Sequence, residues 1–153
     1  MGIALLLHLL STVIWVGGMF FAYMALRPVV ASQLEPAVRL TLWAGVFGKF
    51  FPWVFVSIGL ILVTGFWMIT SYFGGFGSVG LHVHLMLVLG IVMMLLFFHV
   101  FFGPFRRLKQ AVAAEDWAAG GKKLAQIRVL VGINLVLGLV TVAIAAGGRY
   151  LPA

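Results

Sequence analysis

Four side chains within the apolar stretches of this chain can bind a metal or exchange a proton near neutral pH: His8, His82, His84 and His99. Ionisable groups inside apolar spans are costly and as a rule face a bundle interior, so each is a candidate for function. Neutral imidazole ligates both transition metals and haem iron. The plainer role for any one of them is an interhelical or interfacial hydrogen bond. The chain has no Cys, which removes thiolate zinc, iron–sulfur and thiol redox chemistry and leaves any metal to His, Met or carboxylate. Among the seven Met residues, Met68 and Met86 stand near the histidines, and thioether sulfur suits Cu(I). Met also fills apolar cores, and packing is the expected role of most of them. Trp15 follows His8 by two helical turns and shares its face, with Gly17 and Gly18 next in sequence. That grouping suits either a wall of a cofactor pocket or close helix packing.

Other chemistries lack their residues. No G-x-S-x-G, H-E-x-x-H or P-loop pattern occurs, and no acidic residue lies within an apolar run. Hydrolase, zinc-protease and nucleotide chemistry are therefore unsupported, and an acid-lined channel or proton-driven transporter is disfavoured.

The elements that must position the histidines follow from composition. Of 153 residues, 64% are hydrophobic and 8% charged, with a mean hydropathy of +1.21. A soluble domain is about a quarter charged, so this chain cannot coat a water-facing surface. Four apolar runs, 3–26, 50–72, 80–102 and 129–146, are each long enough to cross the hydrocarbon core as a helix. The expected fold is an all-α membrane protein, a four-helix transmembrane bundle forming one integral domain over 1–153. The N-terminal run lacks a basic segment before it and an A-x-A-type cleavage site after it, and is read as a retained first span.

The net charge is +7, from ten Lys and Arg against three acids. All of these cations but Arg149 sit in the connections 27–49 and 104–128, whereas 71–79 carries no charge. The positive-inside rule accounts for the cations without nucleic acid, places both connections in the cytoplasm and puts both termini on the external side. A short helix over 36–47, with Leu40, Trp43 and Phe47 at helical spacing, is expected to lie on the membrane surface. In this topology helices one and three run parallel, so His8, His82 and His84 share the external layer. His99 follows His84 by 15 residues, about 22 Å along a helix, and belongs to the other face. In an up-and-down bundle the first and third helices are diagonal, so a His from each could hold a planar macrocycle. His82 and His84 stand about 200° apart on the helix, so only one faces that core.

The segment His8-Leu-Leu-Ser-Thr-Val-Ile-Trp15-Val-Gly-Gly18 resembles the opening of CopD-like and HemJ-like membrane proteins, with a His followed seven residues later by Trp and then Gly. Gly80-Leu-His82-Val-His84-Leu-Met-Leu-Val-Leu-Gly90, leading to Arg106-Arg107, resembles the third span of HemJ-type protoporphyrinogen oxidases. Arg128 and Asn134 are similar to residues that begin the last HemJ span. The resemblance implies a four-span protein binding haem b. The functional His of the first HemJ span falls on His8, and the Lys of the third falls on position 84, which is His here. With His8 and His84 as axial ligands, the resemblance implies low-spin haem and outer-sphere electron transfer, with HemJ-like porphyrinogen oxidation as the enzymatic variant. Trp15 would wall the cofactor, and Arg149, the one external cation, would meet its propionates. The CopD side of the resemblance implies copper transport or resistance, with copper passing His8, His82, His84, Met68 and Met86. Expected partners are membrane lipid and a quinone or redox protein, with a homo-oligomer also open. The expected location is a bacterial inner membrane.

Overall fold

Each apolar run forms a helix, and the helices continue well past the runs. The computed structural model describes residues 1–150 apart from the Arg149 side chain. Its main elements are α1 (Gly2–Gln33), α2 (Pro36–Tyr72), α3 (Leu81–Ala113) and α4 (Trp117–Gly147). They hold 32, 37, 33 and 31 residues, about 46–56 Å at 1.5 Å per residue, against a hydrocarbon core of about 30 Å. All four are long and apolar enough to cross a membrane, and no strand occurs among the described residues. The fold is an all-α bundle suited to the membrane.

The excess length lies mainly at the end carrying the cations. The segment 36–47 is the first part of α2 and does not form a separate surface helix. Leu40, Trp43 and Phe47 are buried within the protein, because α2 runs on without a break and turns that stripe toward the α3–α4 hairpin. Within that hairpin α3 continues to Ala113, a short turn places Glu115 at φ 54°, and Asp116 accepts a hydrogen bond from the Ala119 N–H to start α4. At the opposite end α2 and α3 are joined through Gly74 and Gly75, whose positive φ of 81° and 107° suits residues without a Cβ.

Two helices adjust at proline. Pro28 lacks an N–H and its ring crowds the carbonyl four residues back, at Met24, inside a π-helical segment spanning Ala22–Leu26. Pro104 lies within a similar segment over Phe101–Phe105. α1 packs chiefly on α2 and α3 on α4, with α4 also touching α1 and α2. The centre is aromatic: Phe51 meets Phe97, Phe105 and Phe47 at ring distances of 5.2, 4.8 and 5.1 Å, and Trp15 reaches across from α1 to Phe97 at 6.4 Å. Phe47 stacks on Phe51 and the other pairs are edge-to-face, arrangements that add to the packing energy of the bundle.

Candidate functional site

His8 lies on the seam between α1 and α2, near the end of the bundle that has few charges. Its Nδ1 is 3.0 Å from Thr64 Oγ1. The Thr64 hydroxyl donates its one proton to the Leu60 carbonyl at 2.5 Å. Toward His8 the hydroxyl oxygen therefore acts as acceptor, and His8 Nδ1–H is the donor. This fixes the tautomer and leaves the Nε2 lone pair free, as in metal-ligating histidines whose other nitrogen donates to an oriented acceptor. Gly65 makes room for the ring: a Cβ there would lie 3.3 Å from His8 Cε1. Thr64 and Ser11 are buried polar residues at this level, and Met68, also buried, stands one turn beyond Thr64 on α2.

His84 is held the same way by a different partner. Its Nδ1 is 3.2 Å from the Gly80 carbonyl, which can only accept, so Nδ1 carries the hydrogen and Nε2 is again the free lone pair. Its ring is 6.5 Å from Phe76 in the α2–α3 connection, and Phe76 is 6.1 Å from Phe66 on α2. His82 turns toward the end of α4, where a Cβ on Gly148 would overlap its own Cβ. Met86, one turn after His82, is on that side of α3. His99 is exposed and belongs to the far half of α3. Among the described residues there is no group of three or more His, Cys, Asp or Glu able to hold a metal ion.

Trp15 is buried in the core, edge-on to Phe97, and also lines an apolar cavity of about 310 Å³ with Gly18, Phe50, Phe51 and Asn134. Asn134 donates from Nδ2 to the Met93 carbonyl at 3.2 Å, and its Oδ1 is buried without a partner. A second cavity, of about 220 Å³, lies at the cation-rich end. Neither cavity has a histidine in its wall. His8 and His84 are thus oriented by separate elements, His8 by Thr64 of α2 and His84 by the first turn of its own helix. The Arg149 side chain, expected to meet propionates, lies outside those described.

Sequence reasoning passed over Thr64, Leu60 and Gly65, which orient His8. Their signal in the sequence is a threonine followed by glycine within an otherwise apolar run.

A family model described as copper resistance protein D matches residues 44–147. The chain belongs to this family. The matched stretch takes in most of α2 and all of α3 and α4, while α1 with His8 precedes it. No curated protein and no solved structure matches the chain. Of the two families that the sequence resembles, the match supports the copper resistance side, and the HemJ-like subtype with its haem has no finding behind it. The family and the four apolar helices together make the chain an integral, multi-pass membrane protein, consistent with a bacterial inner membrane.

Proposed function

We propose that this member of the copper resistance protein D family handles Cu(I) at the sparsely charged end of its bundle, with His8 Nε2 as the principal donor. The observation that carries this reading is the Leu60–Thr64–His8 chain of hydrogen bonds, which fixes the imidazole with its metal-binding nitrogen unengaged. Met68 supplies a soft thioether one turn from Thr64, and His84 offers a second Nε2 at the same end of the bundle. Imidazole with thioether suits Cu(I), whereas a site for Mg²⁺ or Ca²⁺ is usually built on carboxylates, and the three Asp and Glu of the chain all lie toward the other end. A sparse donor set holds an ion weakly enough to pass it on, as handling a cargo requires. In this reading copper is cargo, and both termini face outside, as the cation distribution favours.

The test is Cu(I) binding by the purified protein in detergent under reducing, oxygen-free conditions, read by competition with a chromophoric chelator. His8→Ala is expected to weaken binding by at least about tenfold, and Met68→Leu to remove sulfur from the copper X-ray absorption spectrum. Equal affinity in wild type and His8→Ala overturns the assignment of His8. A purified protein showing a Soret band with sharp reduced α and β bands overturns the copper reading in favour of haem b.

A further inference from the structure

The cavity at the cation-rich end has a chemistry unrelated to the histidines. Its wall includes Arg27 from α1, Arg39 from α2 and Arg128 from α4, and no acidic side chain. Tyr23, Trp43 and Trp117 complete its amphipathic rim. Arg27 is turned inward by its own helix: Nε donates to the Tyr23 carbonyl at 3.2 Å, and the guanidinium sits 4.4 Å over the Tyr23 ring. Arg39 is the sharper case. Its Nε is buried and has no hydrogen-bond partner, and a charged donor withdrawn from water without an acceptor is costly. The chain has three acidic residues in all, Glu35, Glu115 and Asp116, and none lines the cavity. No acidic side chain of the wall can supply the missing acceptor, which leaves the place open to an anion from outside the chain.

The neighbouring apolar cavity indicates what kind of anion fits. Ala22, Phe47 and Val131 belong to both walls, so the basic chamber borders the apolar one. From there the wall runs along Leu26, Val46 and Val100 toward Trp15, with Asn134 as its polar member. The pair forms a slot that is cationic at one end and apolar at the other, at the level where helices leave the membrane. Planar guanidinium groups match phosphate oxygens in forked geometry, and basic pockets between transmembrane helices accept anionic lipid head groups.

We infer that this slot binds one anionic phospholipid, its phosphate among Arg27, Arg39 and Arg128 and one acyl chain in the adjoining apolar cavity. Free phosphate shares the head-group chemistry but leaves the apolar half unfilled. The bound lipid ties α1, α2 and α4 together, since each contributes one arginine.

The experiment uses the full chain in a mild detergent. Native mass spectrometry and thermal unfolding are recorded with added dioleoyl phosphatidylglycerol, dioleoyl phosphatidylcholine or inorganic phosphate. One phosphatidylglycerol per chain is expected to survive delipidation and to raise the unfolding temperature, with phosphatidylcholine and phosphate giving little. Arg39→Gln and the more exposed Arg128→Gln are each expected to weaken phosphatidylglycerol retention by about tenfold, the equivalent of 1.4 kcal/mol. Lys122→Gln removes the same charge from the same end outside the cavity, and is expected to retain lipid as wild type does. Val131→Phe, which fills the junction of the cavities, is expected to reduce the preference for long-chain lipid over phosphate. Equal retention of phosphatidylcholine, equal loss in Lys122→Gln, or equal protection by inorganic phosphate each overturns the proposal. The last of these marks a free-anion site instead. Should Arg39→Gln fail to fold, Arg128→Gln decides the question alone.

Discussion

Replacing Thr64 by Val tests the hydrogen-bond chain behind His8 with little change in shape. Thr64 is 6% exposed, and without its hydroxyl His8 Nδ1–H loses an acceptor now 3.0 Å away. Leu60 O loses a side-chain donor but keeps its helical N–H partner, so its loss is small. An unpaired buried donor costs about 1–3 kcal/mol, which is the expected loss of stability. That cost is common to the free and copper-bound protein, so the affinity reports something else: the fixing of tautomer and ring orientation. Outer partners of metal-ligating histidines are worth about 10–100-fold in affinity, or about 1.4–2.7 kcal/mol. Chelator competition for Cu(I) and thermal unfolding in the same detergent separate the two effects. Thr64→Ser keeps the hydroxyl and should bind copper nearly as wild type does. Wild-type affinity in Thr64→Val, or an equal loss in Thr64→Ser, would refute the claim that Thr64 sets the state of His8.

Three further outcomes follow from the packing and the charge pattern. Gly18→Val would drive a side chain into the Phe50 ring and should destabilise the bundle by about 1–3 kcal/mol, partly recovered in a Gly18→Val/Phe50→Ala double variant; chemical denaturation in detergent reads both. Phe97→Ala removes the ring that meets Trp15, Phe51 and Phe55 and should cost about 3–5 kcal/mol by the same measurement. A reporter joined after Ala153 should behave as external and one inserted at Glu115 as cytoplasmic; the opposite pattern would reverse the orientation inferred from the cations.

The sequence alone was enough for the number of helices, their lipid-facing character and the end at which the charge collects. Each of these follows from run length and composition, which act locally: about 20 apolar residues cross the hydrocarbon core as a helix whatever lies beside them. The copper resistance family was named from the sequence as well, but on the His8, Trp15 and Gly18 spacing of α1, which precedes the matched stretch 44–147. The helical extensions were not. Segments such as 36–47 read as interfacial because their apolar stripe is narrow, and only the hairpin that packs on them shows the stripe is core. The setting of each histidine was likewise undetermined. Spacing puts His82 and His84 on different faces of α3, but which neighbour each face meets depends on how the four helices pair. Pairing brought His8 against Thr64 of α2. The convergence of Arg27, Arg39 and Arg128 shows the same limit most plainly. In sequence they are cations of separate helix ends, accounted for by topology, whereas in the bundle α1, α2 and α4 bring them around one cavity, where Arg39 keeps a buried donor without an acceptor. Charge pattern fixes the side of the membrane because it acts through the bilayer. Which charges share a site is decided by helix packing, which depends on contacts between residues distant in sequence.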